Sequence, residues 1–98
     1  MTSNVTAESL FAEYAEPIAS SVGLTATEYD RTEEGLASLL CDTANRLSPL
    51  DQTGEWLEEA ASDLDAIARL GSANKKTQRL FTRIDRALYD AKSELEVV

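Results

Sequence analysis

Four segments of the chain carry apolar residues at the three- and four-residue spacing of an amphipathic helix, and none alternates as a β-strand does. Helices with one apolar face each bury those faces against one another, and short links favour antiparallel neighbours. The sequence therefore predicts an all-α fold: a small bundle of four helices, or of three long helices with a kinked or broken first and second. Because 98 residues suffice for one modest core, residues 1–98 are predicted to form a single helical domain, with residues 1–6 flexible.

The first segment covers about residues 7–22. Thr6 is the predicted N-cap, because its hydroxyl can accept from an unpaired backbone N–H, and Gly23 is the predicted stop. Pro17 interrupts this segment, since proline has no N–H to donate and its ring crowds the preceding turn. We expect a kink or a break near Glu16.

The second segment can be one helix or two. Thr25 and Glu28 have the spacing of a capping box, which predicts a helix start there. Gly35 weakens the middle, and a restart at Thr32 would place Glu33 in an exposed first turn where the helix dipole favours an acid. An unbroken helix would instead put Glu33 into the apolar stripe, as a buried salt bridge or a partner-facing anchor.

The third and fourth segments are predicted to form a helical hairpin. Ser48 followed by Pro49 has the pattern of an N-cap before a first helical residue, and Gly71 marks the end of the third segment. The fourth segment is predicted to run from about residue 73 or 74 to residue 94 or beyond.

Residues that could carry chemistry are scarce. There is no histidine, which removes the usual catalytic triads and histidine-containing metal sites, and a single cysteine excludes multi-cysteine sites. Cys41 lies at the edge of the second apolar stripe, so a half-buried thiol is predicted, with no helical neighbour that would lower its pKa. A pair of carboxylates would still need a cleft that a thin bundle rarely offers. We therefore expect a protein that is not an enzyme and has no cofactor or metal.

The charge is unevenly distributed along the chain. Residues 1–65 hold 14 acids and 2 bases, whereas residues 66–98 hold 4 acids and 7 bases, and the net charge is −9. Binding to nucleic acid or to an anionic membrane relies on Lys and Arg, so neither is an expected direct partner. We expect a protein partner with a basic surface. The first residues lack the pattern of a signal peptide and no apolar run approaches about 20 residues, so a cytoplasmic location is predicted.

An acidic ridge is predicted on the outer face of the third segment. Its acids, with Asp63 at the flank, extend over about 21 Å at one charge per ~3.5 Å, close to the roughly 3.4 Å per phosphate of a single DNA strand. The alternative is an ordinary solvated face whose first acids favour the helix dipole. The ridge comprises Asp51, Glu55, Glu58, Glu59 and Asp65, with Trp56 at its edge as a candidate aromatic anchor.

A basic ridge is predicted on the fourth segment. Its cations crowd the N-terminal half of a helix, where each misplaced exposed charge costs on the order of 0.3–1 kcal/mol. Either acids of the hairpin neutralise them, with Glu59 reaching Arg83 and Asp63 reaching Arg79, or a partner does, including a second copy of the chain. The basic ridge comprises Lys75, Arg79, Arg83 and Arg86.

In size, acidity and helix content the chain resembles the small phage-encoded inhibitors that block bacterial defence complexes, the anti-CRISPR type among them. The resemblance covers the whole chain as composition and layout and involves no motif. It implies an inhibitor that occupies a basic, nucleic-acid-binding surface of a larger complex in the host cytoplasm, since some of these inhibitors look like nucleic-acid mimics. Two alternatives remain: a self-associating structural or regulatory helical protein, such as a homodimer, and an antitoxin-like adaptor.

Overall fold

The computed structural model describes residues 6–47, 51–71 and 75–96, and every regular element in those ranges is helical. This confirms the prediction of a small all-α bundle. The expectations for residues 1–5, for the Ser48-Pro49 start and for residues 73 and 74 fall outside the described residues. The elements are α1 (Ala7–Leu10), a π-helical turn (Phe11–Ala15), α2 (Glu16–Ser21), a 3-10 turn (Ala26–Glu28), α3 (Glu33–Arg46), α4 (Gln52–Leu70) and α5 (Lys75–Glu96).

The first helical run begins and ends where local signals predict. The Thr6 hydroxyl accepts from the Ser9 N–H at 3.1 Å, and the Ser9 hydroxyl oxygen accepts from the Thr6 N–H at 2.9 Å, so the two residues form a capping box. The run ends at Ser21. Gly23 then takes a φ of 79°, which favours glycine, and its N–H donates to the Ser20 carbonyl.

Pro17 widens this run instead of ending it. The proline lies in the first turn of α2, directly after the π-helical turn Phe11–Ala15. An α-helical turn would press the proline ring against the carbonyl of Glu13, four residues back, and would leave that carbonyl without its donor. A π-helical turn is wider, so it leaves room for the proline ring and tolerates the missing N–H donor. The chain therefore continues as a helix in the same direction. The interruption predicted near Glu16 takes this form.

The second segment breaks and restarts, as the Thr32 reading predicted. The Thr32 hydroxyl accepts from the Gly35 N–H at 3.1 Å, and Glu33 lies in the first turn of α3. Its side chain is half-buried, so the exposure predicted for Glu33 is wrong. The capping box predicted at Thr25 and Glu28 is wrong. Thr25 precedes a short 3-10 turn, and its side chain caps no backbone N–H.

The core lies between the first helical run, α3, α4 and α5. Helix α4 packs against α3 on one side and α5 on the other, and the first run closes the bundle by contacting both α3 and α5. A hydrogen bond of 3.0 Å from the Tyr14 hydroxyl to Asp85 ties the π-helical turn to α5. The largest fully buried side chains are Leu10, Ile18, Leu36, Leu39, Leu40, Leu57, Leu64, Ile67, Ile84 and Leu88, with Thr43 and Thr77.

The core leaves no buried side-chain nitrogen or oxygen without a hydrogen-bond partner in the described part of the chain. Thr43 donates to the Leu39 carbonyl at 2.8 Å, and Thr77 donates to the Gly71 carbonyl at 2.7 Å. None of the described helices combines the length and the apolar character that a membrane-spanning helix needs.

Candidate acidic docking surface

The acids of α4 divide between its two flanks. Glu58 and Asp65, seven residues apart and hence on one face, line the side that borders α3. Asp63 lies on the other flank, where it meets α5, and Glu59 is close enough to act on its ionisation. The acidic ridge predicted as a single line is therefore two partial rows, with Glu55 between them.

Two residues of the predicted ridge have structural roles. Asp51 is the N-cap of α4, because its carboxylate accepts from the Thr53 N–H at 2.9 Å, and its side chain is half-buried. Trp56 is also half-buried and packs against the core. Only part of the Trp56 side chain is therefore accessible to a partner.

Two ion pairs involve the acids of α4. Arg69 meets Asp65 at 3.1 Å within the helix, and both side chains are mostly exposed, so the pair contributes little to stability. Arg83 of α5 meets Asp63 at 3.6 Å, and only 18% of the Asp63 side chain is exposed. One ion pair therefore joins the two helices among the described residues, but neither predicted pair, Glu59 with Arg83 or Asp63 with Arg79, is formed.

This difference in register has a simple cause. The predicted pairs treated Gly71 as the centre of the hairpin, whereas α4 ends at Leu70 and α5 begins at Lys75. The midpoint of the link therefore lies between residues 72 and 73. When the centre moves towards the C-terminus, the residue of α5 that faces Asp63 moves by twice that shift. This is about one helical turn, and it replaces Arg79 by Arg83.

Asp63 is in an unfavourable place for a carboxylate. Burial raises its pKa above the ordinary value, Glu59 raises it further by repulsion, and Arg83 opposes them only in part. Since the carboxyl of the folded protein holds its proton more tightly than that of the unfolded chain, this group stabilises the fold below the unfolded pKa. That contribution is lost as the pH rises through the folded pKa.

We therefore expect Asp63→Asn to be more stable than the native chain at neutral pH, by up to about 1 kcal/mol, although it removes an ion pair. The difference should vanish near pH 3, below the unfolded pKa of about 3.9. Urea unfolding at the two pH values measures it. Asp65→Asn, which removes an exposed pair, is the matched control and should change stability by less than about 0.5 kcal/mol. Lower stability of Asp63→Asn at neutral pH would mean that the attraction of Arg83 dominates.

Three glutamates of α4 have side chains that are exposed to solvent. Glu55, Glu58 and Glu59 are exposed, and within residues 6–47, 51–71 and 75–96 none of them forms an ion pair. They lie within two turns of each other in the first half of α4, and the helix dipole also favours Glu55, which is in the first turn. Their carboxylates are available to a positively charged partner.

A groove of about 600 Å³ runs between α3 and α4. Its floor consists of small side chains, and four carboxylates stand along its walls, so it combines close access with negative charge. We call it the acidic groove. The floor residues are Ala37, Ser38, Cys41, Ala61 and Ser62, and the acids are Glu34 and Asp42 of α3 with Glu58 and Asp65 of α4.

Sequence reasoning missed the two acids that α3 contributes. Glu34 and Asp42 are eight residues apart and share one face of α3 with Ser38 and Cys41, a pattern that marks a polar, small-residue face. Antiparallel packing of α3 on α4 brings that face beside Glu58 and Asp65. The spacing is visible in the sequence, but the pairing of the two helices is not.

Asp42 is held in place by a neighbouring loop. The Tyr29 hydroxyl donates a hydrogen bond to Asp42, and this bond, with partial burial, raises the pKa of Tyr29. The contact joins the segment before α3 to the middle of α3. It fixes one wall of the acidic groove.

Cys41 is exposed on the groove floor, so the prediction of a half-buried thiol is wrong. The groove walls still remove enough water from the thiol to raise its pKa, and the carboxylates of Glu58 and Asp42 raise it further. The thiolate is the reactive form, so this site disfavours nucleophilic chemistry.

Cys41 should consequently react slowly with iodoacetamide. We expect the midpoint of its pH–rate profile to lie above that of a free cysteine, near 8.5. Glu58→Gln should lower the midpoint and speed the reaction at pH 8, because it removes a repelling carboxylate. Glu55→Gln, outside the groove, should leave the profile unchanged. A native midpoint at or below that of a free cysteine would contradict the electrostatic picture of the groove.

Within residues 6–47, 51–71 and 75–96, an ion pair forms at one position of the basic ridge. Arg83 pairs with Asp63, whereas Lys75, Arg79 and Arg86 are exposed and form no ion pair within the described part of the chain. No ion pair among the described residues therefore offsets the electrostatic cost of Lys75 and Arg79 near the start of α5.

The described residues contain no group of three or more Cys, Asp or Glu side chains arranged to hold a metal ion. The described residues instead form charged surfaces. Exposed glutamates lie on α4, the acidic groove lies between α3 and α4, and exposed cations lie on α5. The chain matches no protein-family model, no curated protein and no solved structure.

Proposed function

We propose that this chain is a non-enzymatic binding module whose α4 carboxylates occupy a basic, nucleic-acid-binding surface of a larger complex. It would act as an inhibitor of the anti-CRISPR type and would block that surface by steric and electrostatic occupation. The observation that carries the proposal is the exposure of Glu55, Glu58 and Glu59 without an ion pair among the described residues.

The electrostatics of the chain support a basic partner. At a net charge of −9 the molecule attracts positive surfaces from beyond contact distance, which favours rapid encounter. On contact, carboxylates on a rigid helix can pair with the same lysines and arginines that hold phosphates. Helix α4 is well suited to this because its opposite face is anchored in the core, so its outer side chains keep a fixed spacing.

The acidic groove extends the proposed surface beyond α4. Glu34 and Asp42 add two carboxylates on α3, and Glu58 belongs both to the groove and to the exposed glutamates. A nucleic-acid-binding cleft presents cations on two walls, so a partner could contact both helices. Small residues on the groove floor leave room for long arginine and lysine side chains.

The test is competition with nucleic acid. The immobilised chain is exposed to a nuclease-treated lysate of bacterial host cells at about 0.05 and 0.2 M salt, and retained proteins are identified by mass spectrometry. We expect proteins that bind nucleic acid, released by added DNA duplex or RNA and retained less at the higher salt. Retention that added nucleic acid does not affect would contradict the proposal.

A matched pair of variants assigns the surface. Glu55→Gln with Glu58→Gln and Glu59→Gln should weaken retention at least tenfold. Glu8→Gln with Glu13→Gln and Glu16→Gln removes the same charge from exposed positions on the first helical run and should retain the partner. Equal loss in both variants would indicate a net-charge effect without a defined surface.

The inhibitor role has its own assay. Expression in a bacterium with active CRISPR immunity should restore plaques of a targeted phage, and the α4 triple variant should not. Partner capture without restored plaques would leave a basic partner in place but exclude the anti-CRISPR role for that system.

A further inference from the structure

We propose that copies of this chain associate with one another by placing the outer face of α5 from one copy in the acidic groove of the next. The inference goes beyond the proposed function and does not depend on it, because it concerns two surfaces of the chain itself. Apart from Asp65, which pairs with Arg69, and Asp42, which accepts from the Tyr29 hydroxyl, the charged residues of the two surfaces form no ion pair among the described residues, and the two surfaces have opposite charges.

Helix α5 has a second, exposed face, on which residues are spaced as they are where one helix packs against another. Its exposed residues follow one another at alternating intervals of four and three, which is the seven-residue repeat by which one helix packs along another. Tyr89, at 61% exposure the most exposed large apolar side chain among the described residues, belongs to this face. We call this face the outer stripe, and it consists of Lys75, Arg79, Thr82, Arg86 and Tyr89.

The acidic groove has the shape that such a stripe requires. Its floor carries only small side chains, so the axis of an incoming helix can approach to the 8–10 Å typical of packed helices. Thr82, a small residue in the middle of the stripe, would face that floor. Longer side chains on either side of it would reach the walls.

The charges also match in spacing. Arg79 and Arg86 are seven residues apart, about 10.5 Å along α5, and Glu58 and Asp65 are separated by the same distance along α4. Both arginines can therefore meet a carboxylate at once, one of them sharing Asp65 with Arg69, whose exposed ion pair is weak. Glu34 and Asp42 stand on the opposite wall, so each cation enters between two acids.

Docking would also offset the unfavourable placement of cations near the start of α5. Against it stands the repulsion between two molecules of charge −9. At about 0.15 M salt that repulsion is screened beyond roughly 8 Å, whereas pairs in contact are screened much less. Association should therefore be clearest near physiological ionic strength.

The first test is the mass of the purified chain by light scattering at about 0.15 M salt. We expect the average mass to rise above the monomer value of 10.7 kDa as concentration increases. Glu34→Gln with Glu58→Gln neutralises the groove, Arg79→Gln with Arg86→Gln neutralises the stripe, and each pair should raise the dissociation constant at least tenfold. Glu8→Gln with Glu16→Gln, neither of which lines the groove or belongs to the stripe, should associate as the native chain does.

Mixing the two neutralised variants provides the decisive result. Each retains one intact surface, so an equimolar mixture should form a one-to-one dimer although neither variant associates alone. A native chain that stays monomeric up to about 1 mM would overturn the proposal. A mixture that stays monomeric while the native chain associates would place the contact elsewhere.

A covalent trap tests the register. Thr82→Cys should form an intermolecular disulfide with Cys41 of a second copy under a mild oxidant, because both positions would lie at the centre of the contact. Ser20→Cys, on an exposed part of the first helical run, is the control. Cross-linking of the control as fast as Thr82→Cys would overturn the groove–stripe contact.

Discussion

Replacing Gly35 by alanine should destabilise the fold by about 2–3 kcal/mol, although alanine is the better helix former. The backbone of Asp30 crosses directly over Gly35. A Cβ at this position would overlap the Asp30 carbonyl oxygen and stand 2.7 Å from its carbonyl carbon. Backbone atoms cannot rotate away as a flexible side chain can, so the loop before α3 would have to move. The melting temperature should fall by roughly 10–20 °C, as measured by far-UV circular dichroism.

Gly54→Ala is the matched control for this prediction. Gly54 lies in the first turn of α4, and a Cβ there would be 3.9 Å from the Ala44 carbonyl oxygen, an ordinary contact distance. Alanine should therefore fit and stabilise by about 0.5–1 kcal/mol through its helix preference. If Gly35→Ala matched Gly54→Ala in stability, the close approach of Asp30 would not constrain the fold.

Gly35 also shows the limit of sequence reasoning. By local propensity it is a weak point in a helix, and the sequence predicted it as such. In the structure it is the third residue of α3, and its lack of a side chain allows the preceding loop to pass close by. The reason lies five residues away in Asp30. Helix propensities alone do not indicate that the backbone of Asp30 passes close to Gly35.

Signals that act within one helical turn were predicted well. Thr6, Gly23 and Gly71 were identified as helix boundaries because each satisfies backbone groups only a few residues away. The apolar stripes were equally informative, since burial follows the helical repeat. Local signals did not decide between competing starts: Thr25 and Thr32 both fit a cap, but only the Thr32 side chain accepts a capping hydrogen bond in the structure.

The candidate site depends on helix pairing, which the sequence does not specify. The charges of α4 were predicted from their spacing, but which of them face α3 and which face α5 depends on how the bundle closes. Glu58 borders the acidic groove, whereas Asp63, five residues on, pairs with Arg83. A shift of between one and two residues in the centre of the hairpin was enough to change the predicted ion pair.

The second large effect is expected at Leu64. This side chain is completely buried on the inner face of α4, while Leu70, at the end of the same helix, is 42% exposed. Leu64→Ala leaves a cavity that close-packed neighbours fill only in part, so it should cost about 2–5 kcal/mol and lower the melting temperature by roughly 10–35 °C. Leu70→Ala makes the same chemical change in the same helix and should cost less than about 0.5 kcal/mol.

The Leu64 variant also separates the core from the surface. Leu64 points away from the acidic groove, so the protein that remains folded should still present Glu58 and Asp65 as the native chain does. Below its melting temperature, Leu64→Ala should therefore keep the slow alkylation of Cys41 that the native groove imposes. Faster alkylation in the fully folded variant would mean that the packing of α4 sets the groove geometry, and that stability and the acidic surface cannot be altered independently.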